Sequence, residues 1–523
     1  MSYAVWGWGG PADEPRHEDL LAAAPWVGGV LGFDPQDPER PAHLGPLPAP
    51  RIRDDAFSAP TSAADVDRAR HGLGRSYLDV LRGIRGQVPH VPDVVVRPRS
   101  AAEVAEVLDS CADHGWAVVP FGGGSSVVGG VEPLLPVGSA YAGVVSLDLV
   151  SLGGVLEVDA VSRAARIGAG ALGPDLERGL AESGHTLRFF PQSFERSTLG
   201  GWIATRAAGH FATGPTHIDD LVESVTAVTP GGTWSSRRLP GSGAGPSPDR
   251  LLLGSEGSLG VITEAWVRVQ RRPAHKAGVA VAFATWPAGT AAVRAVVQSG
   301  LRPAGCRLVD AGEAALTQTL ADGRAVLVLS FEGEEPVDGA LARAVELCRD
   351  HGGEPLARAG SGGAGDASGR WRETFLRAPY LRETLVLLGV LTETFETAIT
   401  WDRADDFVAA VTGATLDAVR RVCGAGSVTC RTTHAYPDGI APYFTVLAPA
   451  RRGSEAVQWA QIKAAAAEAI LAGGGTITHH HAVGRDHRPW YDAQRPDVFA
   501  AALSGAKSAV DPAGIMNPGV LVG

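Results

Sequence analysis

A chain of 523 residues exceeds the length at which one hydrophobic core keeps growing, so at least two domains are expected. With 45% hydrophobic and 20% charged residues it has the composition of an ordinary globular protein, and its net charge of −11 gives no general electrostatic reason to bind nucleic acid or an anionic membrane. Small molecules are the expected partners, with room for a local basic pocket that accepts a phosphate. Cys111, Cys306, Cys348, Cys423 and Cys430 are scattered without CxxC spacing, which suits a reducing cytoplasm. The opening MSYAVWGWGG lacks the basic start and apolar core of a secretory leader, and no apolar run reaches the roughly 18 residues of a membrane span. The wealth of Ala, Gly and Arg suits a high-GC bacterial gene.

Residues 1–88 are rich in Pro, Asp and Arg and are expected to form an N-terminal extension around the main body, helical only near RARHGLGRSYLDVLRGIRG. The pattern then sharpens. An apolar run at Val94–Val96 precedes Ser100-Ala-Ala-Glu103, a capping box. Val104, Val107, Leu108 and Cys111 mark one helical face, and Gly115 ends the helix. Trp116–Pro120 is a short buried strand, followed at once by PFGGGSSVVGG, so this is a β-α-β unit ending in a glycine loop. Glycines permit positive φ and close backbone approach, and successive amides pointing one way favour a phosphate or diphosphate guest. A Walker loop would need a lysine that is missing here, and a dinucleotide-binding turn would open a helix that VVGGVEPLLP is too rich in Val, Gly and Pro to form. Alone, the loop is equally compatible with a turn that binds nothing.

Further on, VLEVDAV and ARIGAG read as strands and LGPDLERGLAESG as a helix with Pro174 near its start. DLVESVTAVTPGGTW reads as a hairpin across Gly231-Gly232, and GSEGSLGVITEAWVRVQ as a loop running into a strand. RRPAH at 271–275 is a natural domain boundary. Beyond it, VAVAFATWPAGTAAVRAVVQSG and AVLVLSFEGEEPVDGALARAVELCRDHGG each give a strand, a turn and a helix, which implies an antiparallel sheet covered on one side by helices. GSGGAGDASG at 360–369 is expected to be a flexible loop, and no strong internal repeat is present.

The glycine loop has two companions, PQSFERSTLGGWIATRAAG and GSEGSLGVITEA. Their order and spacing resemble the FAD-binding domain of flavoproteins of the vanillyl-alcohol-oxidase type, over about residues 89–272. The resemblance implies an α+β fold in which FAD lies between two subdomains. It places Pro120, Phe121, Gly122, Gly123, Gly124, Ser125 and Ser126 at the diphosphate. Pro191, Gln192, Ser193, Thr198, Gly200, Gly201 and Thr205 are placed along the flavin, and Glu256, Gly260, Val261 and Ile262 near the adenosine. Covalent members carry a His or Cys in the glycine-loop region, and neither is present here, so the FAD is expected to be noncovalent. Gln192 stands where many members have Asp.

Three later stretches resemble the alkyldihydroxyacetonephosphate synthases within that superfamily: APYLRETLVLLGVLTETFETAITWDR, CRTTHAYPDGIAPYFTVLAP and TITHHHAVGRDHRPWY. The opening WGWG fits as well. The implied division is an FAD-binding domain at 89–272, an α+β substrate (cap) domain with an antiparallel sheet at 273–475, and a C-terminal segment at 476–523 completing the active site. The implied catalytic set is Arg382, Arg431, Tyr443, His479, His480 and His481. Ordinary roles stand beside these. Tyr443 is otherwise a core aromatic, Arg382 a partner of Glu393, Glu396 buried support, and Asp402 and Arg403 a structural pair at a helix start. If TITHHHAV is a strand, its histidines alternate faces. Either His480 or the pair His479 and His481 then faces the flavin, and no metal site is expected.

The implied reaction exchanges the acyl group of an acyl-dihydroxyacetone phosphate for a long-chain alcohol, with flavin N5 bonded to the substrate carbon between the two steps and no net oxidation. His480 suits the base by its intrinsic pKa, Tyr443 a proton relay, and the two arginines a phosphate or carboxylate clamp. The alternative is an FAD-dependent 2-hydroxyacid dehydrogenase or oxidase, because SAVDPAGIMNPGVL is close to an ending common there. Against it, PDGIAPY and HHHA stand where metal-using members carry GDGNxH and GEHG. A flavin-binding relative with only an interaction role would have lost the polar set, which is retained. With neither a peroxisomal N-terminal signal nor a C-terminal SKL, cytoplasmic residence with peripheral membrane contact for lipid access is expected, and the resemblance implies a homodimer acting on a small lipid or phosphorylated substrate.

Overall fold

The computed structural model describes residues 3–356 and 380–522, so the segment 360–369 lies outside it. Three sheets organise the chain. The first has the order Thr61–Ser62, Val94–Val96, Gly143–Asp148, Trp116–Phe121. Val94, Val95 and Val96 are all buried, and the helix Ala101–His114 carries the chain to Trp116–Phe121. Both strands run parallel to Gly143–Asp148, which slots between them and widens the expected β-α-β unit. The helix is capped by the Ser100 hydroxyl, which accepts from the Glu103 amide, and it ends at Gly115 in the left-handed region. The capping box is only half formed: the Glu103 carboxylate accepts from the amide of Arg99 rather than of Ser100.

The second sheet is antiparallel, in the order Val155–Asp159, Ala164–Gly168, Val261–Arg268, Val222–Thr229, Gly232–Ser235, and its last pair is the expected hairpin. Its core joins Ile167, Val225 and Ile262 to Leu176, Leu199 and Trp202. Residues 127–136 form no helix, as their Val, Gly and Pro content requires.

The third sheet is antiparallel throughout and is built on His275–Phe283, Ala325–Gly333, Gly305–Val309, Ser427–Ala435, Gly439–Pro449 and Val390–Glu396. Strand alternation gives it two unlike faces. Leu391, Phe395, Cys430, Phe444, Val446 and Ala448 point into a large apolar core shared with the helices Trp286–Gln298, Ala404–Cys423 and Glu455–Ala472. Their neighbours on the same strands point away from the helices and line a cavity.

The N-terminal extension is more helical than its composition suggests. A helix spans His17–Leu31 as well as Tyr77–Ile84, and Trp6, Leu20, Val27, Tyr77, Val80 and Ile84 join the core of the third sheet. Pro25 and the small residues around it dilute the helical periodicity of His17–Leu31, so packing rather than pattern defines it. Arg85 binds Glu39 at 2.9 Å and Glu455 at 2.5 Å, tying the extension to the helix Glu455–Ala472. Among the described residues no helix is long and apolar enough to cross a membrane.

One buried ion pair fastens that helix to the sheet. Lys463 lies 3.0 Å from Glu393, which also accepts from the Trp459 indole at 2.6 Å. Lys463→Met leaves the Glu393 charge buried without its cation, and is expected to cost about 3–5 kcal/mol in urea unfolding followed by circular dichroism. The double variant Glu393→Leu/Lys463→Met, which removes both charges, is expected to recover most of that loss.

Candidate active site

The glycine loop begins where the strand Trp116–Phe121 ends, and its sequence is set by what it packs against. A Cβ at Gly123 would overlap the Arg196 carbonyl, and one at Gly122 the Thr198 hydroxyl; Gly124 has φ +66°. Close approach of the chain's own 191–198 loop therefore demands glycine here, before any ligand is considered. Among the described residues the amides of Gly122 through Ser126 donate to no protein acceptor. The Ser126 hydroxyl closes the turn by accepting from the Gly130 amide at 3.0 Å. Thr198 caps the helix Leu199–Thr205, its hydroxyl accepting from the Gly201 amide at 3.2 Å.

These loops form one wall of a cavity of about 540 Å³. Pro120 to Ser126, Pro191, Gln192, Ser193, Thr198, Gly200, Gly201, Thr205, Glu256, Gly260 and Ile262 all line it. Val261 does not. It precedes Ile262 on one strand, so its side chain points the other way, into the core with Val118, Val145 and Val228. The Glu256 carboxylate accepts from the amides of Val483 and Gly484 at 2.9 and 2.8 Å, and burial pushes its pKa up to about 7.

The opposite wall is the polar face of the third sheet, which presents Thr392 and Thr394, Thr429, Arg431 and Thr433, and Tyr443, Thr445 and Leu447. Arg431 and Tyr443 are register partners on adjacent strands, and the guanidinium lies 4.0 Å from the ring centroid. Arg431 also binds the buried Glu313 at 2.7 Å. Among the described residues the Tyr443 hydroxyl has no protein hydrogen-bond partner, and it faces the cavity. Arg382, on a helix described over 380–387, donates to the Arg75 carbonyl at 3.2 Å and the Thr394 hydroxyl at 3.0 Å. It does not pair with Glu393, because Glu393 and Thr394 are neighbours on a strand and face opposite sides. No ion pair joins Asp402 to Arg403 among the described residues, although the pair does fall in the short turn Trp401–Arg403 before a helix.

The histidine segment is not a strand, so alternation does not sort its side chains. Glu396, fully buried at the end of Val390–Glu396, gathers it. Its carboxylate accepts from the Thr478 hydroxyl at 2.6 Å and from the amides of His479, His480 at 3.2 Å and His481 at 2.8 Å. Burial alone would raise the Glu396 pKa; the surrounding His480, His481 and His479 and the Thr478 hydroxyl outweigh it and hold the carboxyl well below its usual range. Around this nest His480 and His481 both face the cavity, with ring centroids 6.1 and 5.5 Å from Tyr443, while His479 turns into a second pocket on the other side. Burial, the largest cause, drives the pKa values of all three histidines down against the pull of the Glu396 carboxylate.

Two groups bring metal-ligand atoms within 4.8 Å of one another: His434 with His479 and His480, and Glu396 with His480 and His481. One member of each group is already engaged. His434 donates from Nε2 to the Gly209 carbonyl at 2.8 Å with Nδ1 at 3.1 Å from the Thr433 hydroxyl, and Glu396 is occupied by main-chain amides.

Arg307, Glu313 and His434 also line the cavity and were not anticipated, although an arginine inside the apolar strand GCRLV is a visible signal for a polar interior face. Burial, then the neighbouring Arg431, pushes the Arg307 pKa down to about 9. Trp26, Val27, Val30 and Leu31 of the N-terminal helix complete the apolar end of the cavity, and no sequence pattern points to them.

Comparison with known proteins matches residues 92–236 to the FAD binding domain and 272–521 to the C-terminal domain of FAD linked oxidases. The chain is an FAD-dependent enzyme with the vanillyl-alcohol-oxidase fold. Alkyldihydroxyacetonephosphate synthase of Caenorhabditis elegans is 30% identical over 95% of this chain and 88% of its own, and that of Dictyostelium discoideum 29% over 89% and 79%. A solved structure of alkyldihydroxyacetonephosphate synthase superposes with a TM-score of 0.78 at 25% identity, covering 95% of this chain and 92% of that one. This chain belongs to the alkyldihydroxyacetonephosphate synthase family. Its own atoms fit the cofactor: five successive amides that have no protein acceptor among the described residues offer an anion cradle in the wall of a cavity that Tyr443, His480 and His481 also line.

Gly123→Ala forces a methyl group against the Arg196 carbonyl. It is expected to weaken FAD binding roughly 10- to 100-fold, as overpacking by ~1–3 kcal/mol would, in a visible-absorbance titration of the apoprotein.

Proposed function

We propose that the enzyme exchanges the acyl group of an acyl-dihydroxyacetone phosphate for a long-chain alcohol. The observation that carries this reading is the make-up of one continuous cavity. It is lined by Arg307, Arg382 and Arg431, with Glu313 paired to Arg431, and also by Leu316, Leu385, Leu447 and by Trp26, Val27, Val30 and Leu31 of the N-terminal helix. A phosphorylated head joined to an alkyl chain matches both ends; a small hydroxyacid would leave the apolar end unused.

FAD, held noncovalently by the amides of Gly122 to Ser126 and the lining residues of the 191–205 segment, would supply nucleophilic flavin chemistry at the reacting carbon. The chain's own groups do the rest. Arg307 and Arg382 hold the phosphate by charge-assisted hydrogen bonds, and Arg431, oriented by Glu313, meets the leaving carboxylate. His480 removes the proton from substrate, and Tyr443, whose hydroxyl has no protein partner among the described residues, hands a proton across the cavity. The ending shared with hydroxyacid enzymes carries no weight for substrate choice. Met516 pairs with Val118, and Asn517 donates to the carbonyls of Glu256 at 2.7 Å and Gly130 at 3.2 Å, so the tail braces the cofactor loops.

Anaerobic incubation with palmitoyl-dihydroxyacetone phosphate and a long-chain alcohol is expected to release palmitate and form the ether with no net reduction of the flavin. Bleaching by D-lactate with no release from the ester would favour the hydroxyacid alternative. Tyr443→Phe and His480→Ala are each expected to lower turnover by ~100-fold or more with the flavin spectrum retained.

The helix His17–Leu31 supports peripheral contact with lipid. Leu21 and Trp26 are 51% and 57% exposed beside the apolar end of the cavity, a position suited to collecting an amphiphile from a bilayer surface. Trp26→Glu is expected to reduce co-sedimentation with phosphatidylcholine vesicles several-fold, with activity on detergent-dispersed substrate preserved to a greater degree.

A further inference from the structure

A second pocket of about 310 Å³ lies behind the histidine segment, open to solvent and lined by Thr216, His217, Asp219, Asp220, Tyr436 and His479 among others. It is linked to the cavity by rings in hydrogen-bond contact. His480 Nδ1 is 3.0 Å from His479 Nδ1, and His479 Nε2 is 3.0 Å from His217 Nε2. Three imidazoles thus run from the reaction cavity to the surface. We propose that His479 and His217 form a proton conduit that carries the proton taken up by His480 out to this second pocket. The proposal rests on the reading of His480 as the cavity base.

The protons of the chain can be assigned from one end. His217 Nδ1 lies 3.1 Å from the Arg206 carbonyl, which can only accept, so a neutral His217 carries its hydrogen on Nδ1 and leaves Nε2 as an acceptor. His479 must then donate from Nε2, with the Tyr436 hydroxyl 2.8 Å away as a second acceptor, and its Nδ1 becomes the acceptor for the Nδ1–H of His480. His480 is left with a bare Nε2 that has no protein partner among the described residues. Every donor in the row points outward. His434 stacks near His479 at 5.0 Å but is excluded from the row, because its Nε2–H is committed to the Gly209 carbonyl.

The reaction needs such an exit. An ester and an alcohol become an ether and a fatty acid, and the acid leaves as a carboxylate at neutral pH, so each turnover frees one proton inside the cavity. When His480 Nε2 binds that proton, its Nδ1–H bond breaks as one forms at His479 Nδ1, and the Nε2–H bond of His479 breaks as one forms at His217 Nε2. One proton moves outward, no electrons are transferred, and the charge arrives on His217. There burial opposes it most, the Arg206 carbonyl and the carboxylates of Asp219 and Asp220 favour it, and the Arg206 guanidinium opposes it, so His217 holds the proton only in passing. The Nδ1–H beside the Arg206 carbonyl then gives the proton to water at the second pocket, and the three rings, left in their other tautomers, return by rotation or exchange with water before the next turnover. His479 and His217 touch no substrate and act through His480, as positioning and relay residues.

His217→Gln separates relay from support. Its amide can still donate to Arg206 and accept from His479, but it cannot pass a proton on. Turnover is expected to fall roughly tenfold or more with KM and flavin spectrum unchanged, to recover with added imidazole, and to show proton release lagging palmitate release in a pH-indicator assay. Wild-type turnover in His217→Gln, or slow turnover that imidazole does not restore, would overturn the conduit. A second measurement needs no substrate: nitrogen-15 histidine spectra of the resting holoenzyme should show His217 and His480 as Nδ1–H and His479 as Nε2–H. Any other tautomer pattern overturns the conduit even if palmitate is released. The expected pattern in an enzyme that releases no palmitate upholds the hydrogen-bonded row and overturns only the substrate assignment.

Discussion

Glu396 is the point on which the site turns. A buried carboxylate is tolerated only when its oxygens are saturated with donors, and the donors here are three successive amides and one hydroxyl of the histidine segment. Because Glu396 is also the register partner of Tyr443, satisfying that one charge fixes the histidine backbone against the tyrosine strand. The side chains then sort themselves around the nest. Two rings face inward to the cavity and one faces outward, an arrangement that neither a strand nor a helix would produce.

The two walls of the cavity obey different rules. The wall of loops is made of backbone: glycines forced by chain crossing chain, with amides left over for an anion. The facing wall is made of side chains, dictated by strand alternation, which delivers threonines, arginines and a tyrosine to one face and aliphatic residues to the other. Charge is concentrated in the second wall. Arg307 and Arg431 are held together in spite of mutual repulsion, with Glu313 beside them as compensation.

Much of this was legible in the sequence where local rules apply. The order of the three glycine-bearing loops gave the cofactor domain, and strand-turn-helix repeats gave the antiparallel cap sheet. Local rules failed where partners are distant in sequence. His479 lines the second pocket, which strand alternation does not predict, because TITHHHAV has the residues of a strand but takes its shape from Glu396, 83 positions earlier. Val261 and Ile262 are adjacent in sequence, and alternation turns only Ile262 to the cavity. Arg382 finds Thr394 instead of Glu393, a difference of one residue that puts the partner on the other face of the sheet. The helix His17–Leu31 carries a proline and several small residues, so only its docking against the cap reveals it.

The brace supplied by Met516 and Asn517 has a consequence for assembly. Asn517 closes on Gly130 across 387 positions, and Met516 pairs beside the strand that leads into the glycine loop. During translation the first subdomain emerges long before the residues that finish it. Its cofactor cradle must therefore wait, unbraced, while the cap is synthesised, and flavin capture becomes a late event that reports on completion of the whole polypeptide.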